Sequence, residues 1–130
     1  MKANDLMIGD WVAFRGRPYQ YTAQDIATMA ECEEKGIATD TTPIPITPEI
    51  LEKNGFRETD VVVVGTRKMR WESEDGRTEI TIWMDDTMPM EIRKNIYYED
   101  EECYTLPFAW AVHKLQQALR LCGIEKEIVL

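Results

Sequence analysis

Several residue types and sequence runs that mark particular classes of protein are scarce or missing in this sequence. Its 130 residues contain one histidine, His113, and three cysteines, none of them in a C-x-x-C pair. A zinc site of three or four nitrogen and sulfur ligands would use nearly all of these side chains, so we expect no bound metal and no cofactor. No glycines stand in G-x-G-x-x-G or Walker A spacing, which excludes nucleotide binding through those loops.

Long apolar runs are also missing. No run approaches the roughly 20 residues that a bilayer span requires, and the first ten residues contain no apolar core of a signal peptide. We therefore expect a protein without membrane contact. An odd number of cysteines without a leader fits a reducing compartment, so the expected location is the cytoplasm.

Positive charge is in short supply. The chain has 15 basic against 24 acidic side chains, which gives a net charge of −9. The acidic excess is spread along the chain, with 6 basic and 11 acidic residues in 1–66 and 9 basic and 13 acidic residues in 67–130. Proteins bind phosphate backbones with a stripe of Lys and Arg, which this distribution does not offer. We therefore expect no nucleic-acid partner.

What is present is the composition of one globular domain. Apolar residues make up 44% and charged residues 30% of the chain, and its length is that of an ordinary single domain. Turn signals separate short apolar segments, and we predict an α+β fold. It comprises a mostly antiparallel sheet of about five or six strands, short helices and a long C-terminal helix packed on one face. Within the single domain 1–130, an N-terminal hairpin and a short helix occupy about 1–40, and the α+β remainder occupies 41–130.

The first predicted hairpin lies near the N-terminus. Apolar and aromatic residues flank a glycine that can supply the positive φ of a tight turn. A turn centred on residues 16–17 would set Phe14 opposite Tyr19 and Val12 opposite Tyr21. Residues that lie opposite each other share a face of the sheet, so we expect all four side chains in the core.

A second hairpin is predicted around residues 75–76, where Asp-Gly indicates a type I′ turn. This turn would set Trp71 opposite Ile80 and Met69 opposite Ile82. We expect that face of the hairpin to be buried, because its four side chains are large and apolar.

Two short helices are predicted from their end signals. The first spans 23–35 and starts at a capping box formed by Thr22 and Asp25. The second starts at Thr-Pro-Glu in 47–49, with Thr as the N-cap and Pro in the first turn. It ends at Asn-Gly in 54–55, after which Phe56 can fold back as an apolar contact.

Three more segments have the pattern of strands. They are the short apolar run 61–64, the segment 90–98 and the C-terminal residues 128–130. The acidic segment 99–102 has no such pattern, and we predict that it is a solvated turn.

Residues 108–122 carry the strongest helical pattern, with Gly123 as the C-terminal stop. One apolar arc, about 120° wide, faces the predicted core. Four residues lie opposite this arc: Trp110, Lys114, Gln117 and Leu121. No acidic residue occurs between Tyr104 and Ile124, and an exposed Trp beside Leu is typical of an interface anchor. These four residues are the candidate partner-binding surface, unless another part of the chain covers them.

Three blocks of the sequence resemble a known family. They are KANDL with IGDWV at residues 2–12, PIPITPEILEKNGF at 43–56, and VHKLQQAL followed by LCGI at 112–124. Together they are similar to a family of short uncharacterised proteins from gut Bacteroidales and their phages and mobile elements. The resemblance implies a cytoplasmic protein of a phage or mobile element, and it assigns no activity and no catalytic residue. The segment 23–38 is longer here than in many relatives.

Other side chains offer alternatives. Asp85 and Asp86 lie in a predicted loop and could hold a divalent ion, and His113 could activate a cysteine. The simpler interpretations are a solvated loop and a solvated histidine on the polar flank of the helix. An acidic run could dock a basic partner or imitate DNA phosphates, although such a run is usually only solvated. This run consists of Glu99, Asp100, Glu101 and Glu102.

These observations favour a non-enzymatic accessory protein of a phage or mobile element that acts by protein–protein contact, for example on a host enzyme or defence system. The missing catalytic frame, the acidity and the surface around Trp110 motivate this hypothesis. The alternative is a small metal- or metabolite-binding domain, or an enzyme, that uses Asp85, Asp86 or His113. A homo-oligomer formed through the same surface about a twofold axis is compatible with the first hypothesis.

Overall fold

Short strands dominate the fold. The computed structural model describes residues 1–59, 67–84 and 88–130, so the strand predicted at 61–64 and the pair Asp85 and Asp86 lie outside the described residues. The strands are β1 (Trp11–Phe14), β2 (Arg17–Gln20), β3 (Thr41–Thr42), β4 (Arg57–Thr59), β5 (Lys68–Glu72), β6 (Glu79–Trp83), β7 (Met90–Lys94) and β8 (Glu102–Leu106). The helices are α1 (Ala23–Glu34), α2 (Pro48–Lys53) and α3 (Val112–Leu121), and a single 3₁₀ turn spans Ala3–Asp5.

The strands form two antiparallel sheets. The smaller sheet has the order β2-β1-β3, and the larger sheet has the order β4-β5-β6-β7-β8. The predicted α+β class and the antiparallel pairing are confirmed. An antiparallel sheet of five strands is present, as predicted. The assignment of all strands to one sheet is wrong, because β1 and β2 pair with β3 and not with the later strands.

The N-terminal hairpin forms in a different register from the predicted one. Phe14 lies opposite Arg17, and Val12 lies opposite Tyr19. The turn consists of Arg15 and Gly16, which both have positive φ (51° and 78°). A two-residue turn of this kind matches the twist of the strands, and it moves the turn one residue towards the N-terminus. Val12 is buried as expected, whereas Tyr19 is 47% exposed.

The second hairpin has the predicted register. Trp71 lies opposite Ile80 and Met69 lies opposite Ile82, and Met69, Ile80 and Ile82 are fully buried. The predicted type I′ turn is wrong, because Asp75 does not have the positive φ that both central residues of such a turn require. The N–H of Ser73 donates to the carbonyl of Thr78 over 2.9 Å, which leaves a longer loop between β5 and β6.

Both predicted N-terminal helix signals are confirmed in α1 and α2. In front of α1, the N–H of Asp25 donates to the hydroxyl of Thr22 over 3.2 Å, and the N–H of Thr22 donates to the carboxylate of Asp25 over 2.8 Å. In front of α2, the N–H of Ile50 donates to the Thr47 hydroxyl over 3.2 Å. These bonds satisfy N–H groups that the first turn of a helix leaves without partners.

The end of α2 also forms as predicted. The N–H of Phe56 donates to the carbonyl of Leu51 over 3.0 Å, and the N–H of Gly55 donates to the carbonyl of Glu52 over 3.1 Å. Gly55 has a φ of +88°, which glycine adopts without steric cost. The chain reverses there and brings Phe56, which is 2% exposed, into the core.

The segment after β7 differs from the prediction. The strand expected over 90–98 ends at Lys94, because Asn95 and Tyr97 have left-handed φ values of 55° and 72° that turn the chain back. The chain then enters β8, which was not predicted and pairs with β7. The predicted turn at 99–102 is therefore one residue too long, since Glu102 is the first residue of β8.

The C-terminal helix is shorter than predicted. Its first four expected residues, 108–111, lie outside α3, and Ala111 is extended with φ −133° and ψ 153°. The N–H of Ile46 donates to the carbonyl of Trp110 over 2.9 Å, and the N–H of Val112 donates to the carbonyl of Ile44 over 2.8 Å. These long-range bonds take the backbone groups that another helical turn would need. Among the described residues, no helix has the length and apolarity of a bilayer span.

No strand forms at 128–130, because a side chain takes the place of a strand partner there. The amide of Asn54 donates to the carbonyl of Val129 and accepts from its N–H, each over 2.8 Å. Ile128 is buried, and its carbonyl accepts a hydrogen bond of 2.9 Å from the indole of Trp11.

The core consists of two apolar clusters on either side of β1. The larger cluster joins the five-stranded sheet with α2 and α3 and contains Ile80, Ile92 and Leu115. The smaller cluster lies between the N-terminal hairpin and α1. It contains Ala3, Leu6, Val12, Tyr21 and Met29. The side chain of Trp11 packs against the larger cluster, so neighbouring residues of β1 contribute to different clusters, as alternation along a strand requires.

Candidate functional site

The four residues predicted to form a partner-binding surface do not share one environment. Trp110 is 49% exposed and lies just before α3, and Leu121 is 77% exposed at the other end of the helix. Lys114 is exposed in the first half of α3, whereas Gln117 is partly buried. A helix of this length extends about 15 Å. We call Trp110, Lys114 and Leu121 the α3 surface.

Trp110 is held in place although its side chain is half exposed. Its carbonyl accepts the hydrogen bond from Ile46, which fixes the backbone. Its indole meets the ring of His113 edge to face, with ring centroids 6.1 Å apart and an angle of 87° between the planes. Such aromatic pairs contribute about 0.5–1.5 kcal/mol beyond the area they bury. The exposed indole is therefore ordered by its neighbours.

Gln117 faces the N-terminal segment. Its amide nitrogen donates to the carbonyl of Asp5 and to the carboxylate of Asp10, each over 2.8 Å. Both acceptors belong to the same chain, so the amide nitrogen of Gln117 is already hydrogen-bonded within the protein. Gln117 therefore belongs to an internal polar cluster and is not part of the α3 surface.

The centre of this polar cluster is the carboxylate of Asp10, which is fully buried. It accepts hydrogen bonds from the N–H of Met7 over 2.8 Å, from the amide of Gln117 and from the guanidinium of Arg120 over 2.5 Å. A buried carboxylate costs several kcal/mol unless it is paired and hydrogen-bonded, and here both oxygens have donors.

A second glutamine of α3 extends the cluster. The side-chain oxygen of Gln116 accepts from the N–H of Trp11 over 2.8 Å, and its nitrogen donates to the carbonyl of Gly9 over 3.0 Å. We call Asp10, Gln116, Gln117 and Arg120 the Asp10 latch. The latch joins the loop before β1 to the polar side of α3.

The latch was not predicted from the sequence. Its only sequence signal was the acid-free stretch that contains Gln116, Gln117 and Arg120. This stretch was interpreted as a surface for a partner, whereas part of it binds a carboxylate 110 residues away in the same chain.

His113 is buried, so the prediction of a solvated histidine is wrong. It is 2% exposed, and its Nδ1 atom has no hydrogen-bond partner within the described residues. Gln116 and Arg120 turn this side of α3 towards the N-terminal loop, which covers the flank that the helical pattern left polar. Burial lowers the pKa of His113, and the nearby charge of Asp10 opposes this shift only in part.

The chain should lose stability as the pH falls from about 7 to 5.5, because His113 is neutral in the fold. Below its unfolded pKa of about 6.5, the unfolded chain takes up a proton that the buried ring resists. The free energy of unfolding should fall by at most about 1.4 kcal/mol per pH unit. Urea denaturation across this range measures the slope, and the NMR titration of the single imidazole should have its midpoint below 6.5.

The control for this prediction is His113→Gln, which cannot take up the proton. Carboxylates titrate mainly below about pH 5, so they contribute little to the slope in this window. An equal slope in His113→Gln would show that other groups cause it.

The other candidate residues form no reactive centre within the described ranges. No hydrogen bond there joins His113 to a cysteine, and Cys122 is buried, which raises the pKa of its thiol. Across residues 1–59, 67–84 and 88–130, no group of three or more His, Cys, Asp or Glu side chains is placed to hold a metal ion. The positions Asp85 and Asp86 lie outside these ranges.

The predicted acidic run lies at the turn before β8. Three of its four residues form ion pairs or hydrogen bonds with other residues of the chain. Glu101 forms an ion pair of 2.6 Å with Arg93, and the Glu102 carboxylate accepts a 2.7 Å hydrogen bond from the Tyr104 hydroxyl. Asp100 accepts a long bond of 3.3 Å from the amide of Asn95. These contacts fix the turn at its position beside the edge of the larger sheet.

Several grooves flank the C-terminal residues. A groove of about 690 Å³ with a mixed polar and apolar lining lies beside the latch and is bordered by Arg120 and Lys126. Burial lowers the pKa of Lys126, whose ammonium group lies 4.8 Å from the centre of the Trp71 ring. An apolar groove of about 450 Å³ includes Pro43, Pro45 and Leu130 in its lining. Neither of these two grooves contains a nucleophile beside a base in its lining.

Comparisons with known proteins give no relative. No family model matches the sequence, and neither the curated proteins nor the solved structures contain a significant match.

Proposed function

We propose that this chain is a non-enzymatic binding protein that acts by protein–protein contact through the α3 surface. One observation carries the proposal: Trp110 is half exposed although its backbone and its ring are both held by neighbouring residues. Tryptophan is among the residues that most often dominate binding energy at interfaces. An ordered anchor loses less conformational entropy on binding than a mobile one.

The composition of the α3 surface supports a protein partner. Leu121 leaves 77% of its surface exposed at one end, and Lys114 supplies a positive charge between the two apolar residues. Interfaces combine apolar and aromatic anchors with polar residues at their rim, so Trp110 is the expected anchor and Lys114 its polar neighbour. Such a surface fits a partner with an apolar pocket and a nearby carboxylate.

The biological setting follows from the resemblance to the Bacteroidales family. We propose an accessory role in a phage or mobile element, with a host enzyme or a defence protein as the partner. The net charge of −9 supports a protein target over nucleic acid, because it opposes binding to phosphates.

Alanine at both Trp110 and Leu121 should weaken partner capture at least tenfold without unfolding the protein. Both side chains are exposed, so their loss removes contact area from a partner and little from the core. A tagged pull-down from lysate of a Bacteroidales host, with and without nuclease, compares the double variant with the parent protein. The partner should survive nuclease and be lost in the variant.

The matched control is the double variant Tyr19→Ala with Ile37→Ala. These side chains are 47% and 54% exposed and lie in β2 and just after α1. The control should retain the partner, and thermal melts should show both variants folded. Unchanged capture by the Trp110 and Leu121 variant, or equal loss in the control, would contradict the proposal.

A further inference from the structure

The larger sheet has two edge strands, β4 and the longer β8. β8 is the last in the sheet order and pairs only with β7, over five consecutive residue pairs from Met90 opposite Leu106 to Lys94 opposite Glu102. Within the described residues, no backbone hydrogen bond reaches β8 from its other side. An open strand edge presents N–H and C=O groups that another extended chain can pair with.

The other strand edges are short or blocked, whereas β8 is neither. β4 has three residues and β3 has two, and β2 carries Pro18, which lacks an N–H. β8 has five residues in unbroken register, with no proline, lysine or bulge. Cys103 and Thr105 are exposed along it, and its only charged residue is Glu102 at the start. Of the devices that normally protect an edge strand from pairing, β8 itself therefore carries only the charge of Glu102.

Charge selects the kind of chain that fits this edge. Glu99, Asp100 and Glu102 have no basic partner in the described part of the chain, and Glu91 lies opposite Thr105 in the adjacent strand. Two basic residues of β7 lie beside them. Arg93 is already paired with Glu79 and Glu101, and Lys94, opposite Glu102, donates to the carbonyl of Cys122 over 2.7 Å. The edge therefore carries an acidic excess, which attracts a basic segment.

We propose that the β8 edge binds an extended, basic segment of a protein partner, which adds to the larger sheet as a further strand. Backbone hydrogen bonds would supply affinity, and lysine or arginine near the acidic turn would set specificity. A second copy of this chain fits less well, because it brings the same acidic turn and a net charge of −9. This proposal does not depend on the α3 surface.

The probe is a heptapeptide of alternating lysine and valine, with two comparison peptides. One comparison peptide has glutamate in place of lysine, and the other carries N-methyl groups on alternate residues, which remove the N–H donors of one edge. The lysine peptide should slow amide hydrogen exchange in β8 and shift its NMR resonances. Its Kd should be at least tenfold lower than that of either comparison peptide, and it should rise with salt.

Matched charge variants test whether the acidic turn itself matters. Glu99→Lys with Asp100→Lys and Glu31→Lys with Glu34→Lys each change the net charge from −9 to −5, since each substitution adds two charges. Glu31 and Glu34 are exposed on α1. The first pair should weaken binding of the lysine peptide at least tenfold, and the second pair should change it less than threefold.

Three results would overturn the proposal. The first is equal weakening by both charge variants, which would indicate attraction by the whole protein. The second is binding of the lysine peptide without protection of β8. The third is a dimer on sizing with β8 amides protected in the absence of peptide, which would assign the edge to a second copy.

Discussion

Replacing Arg120 with alanine is expected to lower the free energy of unfolding by about 3 kcal/mol. The substitution removes the cation from the Asp10 carboxylate, which is fully buried and would keep only neutral donors. Breaking a buried ion pair from one side usually costs 3–5 kcal/mol, and the partial exposure of Arg120 places the effect at the lower end. Urea denaturation at pH 7 measures the loss, and the Tm should fall by about 10 °C.

Two further variants show whether the loss of stability in Arg120→Ala comes from the unpaired buried charge of Asp10 or from removal of the arginine side chain itself. Asp10→Asn combined with Arg120→Ala should cost less than the sum of the single changes, because the two residues share one interaction. Arg67→Ala breaks an exposed ion pair of 2.9 Å with Glu58 and should leave the Tm unchanged. If Arg120→Ala behaves like Arg67→Ala, the Asp10 latch does not stabilise the fold.

Replacing Phe56 with alanine is expected to cost about 4 kcal/mol. Phe56 is 2% exposed in the larger apolar cluster, and its N–H closes the end of α2. Loss of a buried phenylalanine side chain costs about 3–5 kcal/mol, because apolar contacts are lost and a cavity remains. Equilibrium denaturation in urea gives the value directly.

Phe56→Leu and Gly55→Ala show which part of this loss comes from packing. Phe56→Leu keeps the backbone bonds and most of the volume and should cost about 1 kcal/mol. Gly55→Ala keeps the phenyl ring but forces a side chain into a φ of +88°, at a cost of about 1 kcal/mol. A loss in Gly55→Ala as large as that in Phe56→Ala would show that the turn, and not the ring, holds this corner together.

Local signals were sufficient where neighbours in sequence decide the structure. Thr22 with Asp25, and Thr47 with Ile50, form caps within three residues of chain. The register of Trp71 opposite Ile80 is likewise set by residues that are close in sequence, across the loop between β5 and β6. In each case the interacting groups are close along the chain, so residue type and spacing specify the contact.

Local signals failed where distant backbone groups compete with them. The helical pattern extends back to residue 108. The backbone groups of Trp110 and Val112 are bonded instead to Ile46 and Ile44, so the helix begins only at Val112. The sequence of β8 has no pattern from which a strand was predicted. The segment is a strand because it pairs with β7. Local sequence patterns cannot predict these partners, because the partners lie in other segments of the chain.

The candidate site was predicted only in part, for the same reason. Helical spacing correctly left Lys114 and Leu121 on the exposed side of α3. It also left His113 on a polar flank and Gln117 on the candidate partner-binding surface, whereas His113 is buried and Gln117 bonds to Asp5 and Asp10 of the N-terminal segment. The second side of α3 is covered because Asp10 binds Arg120. This contact could not be predicted from the sequence, because the two residues are 110 positions apart.

Because the ribosome makes the chain from its N-terminus, the Asp10 latch can form only late in synthesis. Asp10 is synthesised 110 residues before Arg120, a delay of roughly 6–20 s at usual rates of translation. During that time the N-terminal hairpin and α1 can form, but the carboxylate must stay hydrated. The two apolar clusters can join around β1 only when the last fifth of the chain emerges. The nascent chain can therefore close the latch only after residue 120 has been made, and the closure of this long loop should be its slowest folding step.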